Sequence, residues 1–176
     1  TNRIPLFLDG ARLAYALGCP ANELTLPAIA RLTDVFYIGG TKCGALFGEA
    51  VVFPKAGTVP HFFTIVKQSG ALLAKGRVLG IQFDTLFTDG LYERGGAHAI
   101  AAADRIRTAL TEKGYQLAVD SPTNQIFLAL DEAQLAHLSA HVAMGFWEQQ
   151  EDVTVMRIAT SWATQDADVE RLIAVL

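Results

Sequence analysis

Two residues of this chain could do chemistry together if the fold brought them to one place. Lys42 is set in Ile38-Gly39-Gly40-Thr41-Lys42-Cys43-Gly44, and Asp9 closes the apolar run Pro5-Leu6-Phe7-Leu8. A lysine amine that is to attack a carbonyl must be partly neutral, which burial or a cationic neighbour brings about. The run Asp34-Val35-Phe36-Tyr37-Ile38 ahead of the lysine reads as a buried strand, and the glycines after it let the backbone bend sharply or approach a ligand. Lys42 is therefore expected to be held in the turn and withdrawn from water. A carboxylate at a neighbouring strand end is the group that keeps a heteroaromatic ring nitrogen protonated, and Asp9 is of that type. Plainer readings exist for both: Lys42 as a surface lysine in a Gly-rich hairpin loop, and Asp9 as the N-cap of a helix that starts at Ala11.

The elements that must position them follow from the pattern. After Asp9-Gly10 the segment Ala11–Leu17 reads as helix, stopped by Gly18 and Pro20; Thr25 and Pro27 start another that runs through Leu32 into the strand at 34–38. Strand, helix, strand predicts a parallel pair. Asp9 and Arg12 then stand at the carboxyl end of a strand, where open α/β sheets bind ligands, and Lys42 emerges at the same edge. Gly48–Phe53 reads as a further strand closed by Pro54 and the Gly57 turn. Helix is predicted from Pro60 through Val66, and again from Ala71 to Phe87, the latter carrying Lys75 and Arg77. Asp89-Gly90 interrupts, and a helix over Leu91–Lys113 ends at Gly114. Strands at 116–119 and 125–130, a helix from Glu132 to His141 capped by Asp131, strands near 144–148 and 153–159, and an amphipathic helix over Thr164–Leu176 complete the pattern. Residues 1–88 are thus expected to belong to an α/β domain and residues 89–176 to a smaller α+β domain.

Composition narrows the function classes. Of the 176 residues 51% are apolar, enough for a sizeable core, and a formal charge of -4 without a basic run gives no footprint for nucleic acid or an anionic membrane. No stretch approaches the roughly eighteen apolar residues of a membrane span, and no signal-peptide pattern opens the sequence, so a cytoplasmic location is expected. Cys19 and Cys43 lie in unlike contexts with no metal-ligand spacing, which argues against a disulfide framework and a zinc site. Thr1-Asn2-Arg3 runs at once into an apolar strand, and mean hydropathy is positive at +0.29. An N-terminal portion is expected to be missing, and part of the surface to be covered by another segment or subunit.

LFLDGARL, residues 6–13, followed by DVFYIGGTKCGALFGEAVVF, residues 34–53, resembles the low-specificity threonine aldolases. These belong to the aspartate-aminotransferase-like class (fold type I, beta-eliminating lyase family) of pyridoxal-phosphate enzymes. The resemblance implies a C-terminal portion of such an enzyme, comprising part of the large cofactor domain and a small α+β domain. It implies that Lys42 forms the Schiff base with pyridoxal 5'-phosphate, that Asp9 pairs with the ring nitrogen, and that Arg12 lies near the cofactor and the substrate carboxylate. ALLAKGRVLG, residues 71–80, places Arg77 close to a basic substrate-binding position of the family, and VMRIATSW, residues 155–162, matches Arg157 to the family's carboxylate-binding arginine. The planar guanidinium suits that task, because it grips a carboxylate with two parallel hydrogen bonds. For Arg157 a local pair with Asp152 or Glu151 is the alternative, and for Arg77 a solvated helix face shared with Lys75.

The implied activity is cleavage of the Cα–Cβ bond of threonine or a related β-hydroxy-α-amino acid to glycine and an aldehyde. A β-eliminating lyase or aminotransferase on the same scaffold, or an inactive fragment serving as an assembly module, are the alternatives. The implied partners are an amino-acid substrate and copies of the chain in a homodimer or homotetramer with shared active sites; no metal is implied. Thr41 stands where many members have serine, and the Gly39-Gly40 pair suggests a divergent branch. The family's base histidine and phosphate cup fall in its N-terminal half, and His61, His98, His137 and His141 read as surface or capping residues.

Overall fold

The structure, a computed structural model, describes residues 4–176; Thr1, Asn2 and Arg3, where the reading of a missing N-terminal portion begins, lie outside the described residues. The chain divides into two compact units. One comprises the residues up to Ala14 with Glu23–Tyr92, the other Tyr15–Asn22 with Glu93–Leu176.

In the first unit β1 (Phe7–Leu8) runs parallel to β2 (Val35–Gly39), with Phe7 opposite Val35 and Leu8 opposite Phe36. Their connection carries α1 (Leu13–Leu17) and α2 (Leu26–Leu32), as parallel neighbours require, because the chain must return to its starting end before the second strand begins. Thr25 caps α2 through its hydroxyl, which accepts from the Ala28 amide, and proline occupies the first turn, where its missing N–H costs nothing. β3 (Glu49–Val52) pairs with the other side of β2 in antiparallel sense. No helix intervenes there, so the chain doubles back through the glycine loop that holds Lys42. Phe36 and Ile38 point into the core of this unit with Leu13, Ile29 and Leu86.

Beyond β3 come α3 (Phe62–Gln68) and α4 (Arg77–Phe87). The helix expected from Ala71 starts only at Arg77, which leaves Lys75 outside it. Leu72 and Leu73 stay about half exposed, and Gly70 adopts a left-handed φ of 69°. Helix initiation fixes several residues for a single hydrogen bond, and without a buried apolar face nothing offsets that cost. Asp89 (φ 52°) and Gly90 (φ 65°) then break the chain before the next helix, as expected from their types.

The second unit is built on a four-stranded antiparallel sheet in the order β4-β5-β7-β6, with β4 (Gln116–Val119), β5 (Gln125–Leu130), β6 (Gly145–Gln149) and β7 (Thr154–Ala159). Helices α5 (Leu91–Glu112), α6 (Glu132–Ser139) and α7 (Asp166–Val175) accompany it. The core joins Ile106 and Leu110 of α5 to Ile126, Leu128 and Leu130 of β5, with Leu138 and Val169. Gly114 (φ 83°) ends the α5 segment while the Tyr115 amide reaches back to the Leu110 carbonyl. Asp131 and Gln134 form a reciprocal capping box on α6. That helix ends at Ser139, two residues before its expected end, and α7 begins at Asp166. Among the described residues no helix is long and apolar enough to cross a membrane.

Candidate active site

The pairing of β1 with β2 creates the site. Because the two strands are parallel, their carboxyl ends lie side by side, and the residue after β1, Asp9, comes alongside Tyr37 of β2. The Tyr37 hydroxyl donates to Asp9 Oδ1 in a short hydrogen bond, and the Ala11 amide donates to the same oxygen at 2.9 Å. The helix expected from Ala11 begins only at Leu13, so Asp9 is not its N-cap; the Ala11 amide instead closes a local turn on Asp9, beside a contact from the next strand. The Tyr37 hydroxyl, then the Ala11 amide, hold the Asp9 carboxyl below the ordinary carboxylate range; the nearby charges of Lys42 and Arg12 act in the same direction, and desolvation opposes them. The same bond pushes the Tyr37 phenol up to about 12.

Backbone contact locks this corner. The Gly39 amide donates to the Gly10 carbonyl at 2.9 Å. A Cβ on Gly10 would sit 1.8 Å from the Tyr37 carbonyl oxygen, and one on Gly39 would sit 2.4 Å from that of Ala11. Neither position has room for a side chain.

The loop after β2 is braced from several directions. The Gly40 carbonyl accepts from the Cys43 and Ala45 amides, at 2.8 and 3.0 Å, closing a tight turn. Glu49, at the start of β3, accepts from the Gly40 amide at 2.9 Å and from the Thr41 hydroxyl at 3.3 Å. From below, the buried Tyr92 hydroxyl donates to the Gly39 carbonyl at 2.8 Å. Cys43 is buried, and burial raises the pKa of its thiol. Lys42 itself is exposed, which corrects the expectation of a lysine withdrawn from water. The braces hold the backbone on either side of it. Replacing Tyr92 by phenylalanine is expected to cost about 1–3 kcal/mol in urea unfolding, since the Gly39 carbonyl loses a buried donor. An unchanged midpoint would show that the brace is dispensable.

Asp9, Arg12 and Lys42 are therefore gathered in the first unit. Arg77 is also in that unit, exposed at the first residue of α4. A cation at a helix N-terminus opposes the helix dipole, so local helix stability does not explain this arginine.

Arg157 belongs to the second unit, on β7, and is half-buried. Its Nη1 donates to Gln125 Oε1 at 3.2 Å, and its guanidinium lies 5.7 Å from the centre of the Trp147 ring. Trp147 falls where the β6–β7 register shifts, and it packs edge-on against Phe127, the cross-strand neighbour of Arg157. The guanidinium is thus oriented by a neutral amide and an aromatic face and, among the described residues, forms no ion pair with Asp152 or Glu151. A cavity of about 620 Å³ in the same unit, bounded by Ile106, Ile158, Thr160 and Leu172 among others, includes none of the predicted site residues.

Tyr37, Glu49, Tyr92, Gln125 and Trp147 were not singled out in the sequence. The one signal that could have found any of them is the parallel register, which sets Tyr37 beside residue 9 once β1 and β2 are paired.

No protein-family model matches the chain. A low specificity L-threonine aldolase from Pseudomonas sp. (strain NCIMB 10558) is 33% identical over 175 residues, covering 96% of this chain and 49% of the relative. The solved threonine aldolase of Leishmania major is 44% identical, with a TM-score of 0.92, covering 98% of this chain and 51% of that one. A structure of SPT with PLP internal aldimine shares the fold at 13% identity, with a TM-score of 0.62, covering 97% of this chain and 46% of that one. The chain spans about half the length of the curated relative and of the Leishmania protein.

Proposed function

Since the chain belongs with the low-specificity threonine aldolases over the half of their length that it spans, and has their aspartate-aminotransferase-like fold, we propose that it is part of a pyridoxal-phosphate-dependent lyase. The lyase would cleave the Cα–Cβ bond of threonine or a related β-hydroxy-α-amino acid to glycine and an aldehyde. The observation that carries this reading is the corner at the carboxyl ends of β1 and β2. There a fixed, ionised Asp9 lies within electrostatic reach of the amine of Lys42 and the guanidinium of Arg12.

This donor set fits the cofactor. An exposed primary amine on a braced turn can tether a carbonyl compound, and a carboxylate with one oxygen untouched by its two donors can accept a ring N–H. When bound, pyridoxal phosphate supplies a protonated, electron-withdrawing ring that takes up the electron pair released as the Cα–Cβ bond breaks. Lys42 Nζ is the tethering group. Asp9 keeps the proton on the ring nitrogen, and its low pKa serves that role because only the ionised carboxylate can hold it there. Arg12 and Arg157 hold the substrate carboxylate, with Arg77 as a further cation for the substrate. By fixing the carboxylate in one orientation, these arginines would select which Cα bond is presented for cleavage.

In this reading residues 1–88 are the C-terminal part of the cofactor-binding domain and residues 89–176 the small domain; the compact units change nearby, at Tyr92–Glu93, with Tyr15–Asn22 in the second. Product analysis with threonine tests the activity. Glycine with acetaldehyde is expected; 2-oxobutanoate with ammonia would instead indicate β-elimination, and a 2-oxo acid without ammonia release an aminotransferase. Arg157→Lys is expected to raise KM for threonine by about 10- to 100-fold. A lysine cannot reproduce the two-pronged contact, and a charged hydrogen bond is worth about 1.5–3 kcal/mol. A KM that stays at the wild-type value would remove Arg157 from the substrate site.

A further inference from the structure

Tyr37 has no role in the chemistry described so far, yet its hydroxyl donates to the carboxylate at the centre of the site. Its hydroxyl and the Ala11 amide both donate to Oδ1 of Asp9, and neither touches Oδ2. A carboxylate is free to rotate about its Cβ–Cγ bond and offers two equivalent oxygens; two donors on one of them, from separate chain segments, remove both freedoms. One donor comes from two residues along the chain and the other from the neighbouring parallel strand, so the orientation is tied to the sheet itself. The phenol is held in turn, with its ring packed 5.9 Å from that of Phe7 across the strand pair.

We propose that Tyr37 is a positioning residue of this site, whose hydroxyl, by occupying Oδ1 of Asp9, turns Oδ2 toward the N–H of a heteroaromatic ligand. The inference rests on the reading of Asp9 as the partner of the cofactor's ring nitrogen. A phenol suits the task because it donates one strong hydrogen bond without adding a positive charge that would compete with the ligand's own cation. The charged groups acting on Asp9 are Lys42 and Arg12, and Glu49 acts on the phenol. A protonated Tyr37 stabilises ionised Asp9, and ionised Asp9 keeps Tyr37 protonated. The linkage is reciprocal, and it is lost on the acid side as Asp9 takes up a proton and on the basic side as the phenol ionises near 12.

The test uses the full-length polypeptide that contains this chain, as wild type, Tyr37→Phe and Asp9→Asn, each checked for fold by circular dichroism. Without cofactor, carbon NMR of the Asp9 carboxyl is expected to show titration at higher pH in Tyr37→Phe than in wild type. Ultraviolet titration is expected to show one phenol near 12 that returns toward its ordinary value of 10.0 in Asp9→Asn. That second variant reads the same bond from the other side and decides the matter should Tyr37→Phe not fold. With added pyridoxal phosphate, the acid limb of its binding, followed by absorbance, is expected to move to higher pH in Tyr37→Phe, a change that a merely structural tyrosine would not cause. Unmoved Asp9 and Tyr37 titrations overturn the bond, and an unmoved acid limb overturns the positioning role. A full-length wild-type polypeptide that binds no pyridoxal phosphate overturns the functional reading and the ring-nitrogen role with it, while the cofactor-free titrations still decide whether Tyr37 governs Asp9.

Discussion

Lys42→Ala is expected to abolish the absorption band that pyridoxal phosphate acquires on binding, and to lower threonine cleavage by about 10²- to 10⁴-fold, the range supplied by a single positioned reactive group. The loss should be chemical. Lys42 is exposed, so truncating it opens no cavity, and the bonds that shape its loop go to the Gly39 carbonyl, the Gly40 amide and the Thr41 hydroxyl. Unfolding in urea is accordingly expected to change by less than about 1 kcal/mol, as for other surface substitutions. The combination of a lost band and an intact fold separates the tethering role from a structural one. A band that persists unchanged in the variant would sink the cofactor assignment and leave Lys42 as an ordinary surface lysine.

Gly10→Ala should act in the opposite way, through the fold. The added Cβ would meet the Tyr37 carbonyl oxygen at 1.8 Å and its carbon at 3.0 Å, and these are sheet backbone atoms that cannot rotate aside. Relief requires β1 and β2 to part at their carboxyl ends, which breaks the bond from the Gly39 amide to the Gly10 carbonyl and pulls Asp9 from Tyr37. A loss of more than about 3 kcal/mol in urea unfolding is expected, at the upper end of overpacking effects. Cofactor binding should weaken with it. Gly80→Ala provides the contrast: Gly80 lies inside α4, and nothing stands within 4 Å of its added Cβ. Alanine there is expected to gain up to about 1 kcal/mol through helix propensity. Similar outcomes for the two glycines would show that the strand ends are more compliant than their contacts indicate.

Much of the secondary structure in both units could be read from neighbouring residues alone. The apolar runs at 5–8 and 34–38, the caps at Thr25 and Asp131, and the breaks at Asp89-Gly90 and Gly114 are local features, and each stands where its residue type predicts. The strand-helix-strand order carried the parallel sense of β1 and β2, and with it the meeting of Asp9, Arg12 and Lys42 at one sheet edge. Residues 71–76 were misread because periodicity describes a face that could be buried, whereas Leu72 and Leu73 found nothing to bury it against. Lys42 was misjudged for a related reason: glycines around a lysine say that the backbone bends, and the way the side chain then points depends on what lies beneath the turn.

By itself the sequence determined which groups are available, an acid after one strand, an amine after the next and a guanidinium on a later one, because residue type and short-range order decide secondary structure and strand sense. Only the tertiary structure decided which oxygen of Asp9 is occupied, which tyrosine occupies it, and that Glu49 and Tyr92 hold the lysine loop. Tyr37 is 28 residues from Asp9 and Tyr92 is 53 from Gly39, and contacts at that separation depend on strand register and on the path of the chain between. A shift of one residue in a strand turns every side chain to the opposite face. The identity of Asp9's partner is therefore a property of how β1 and β2 pair, and no pattern of neighbouring residues could contain it.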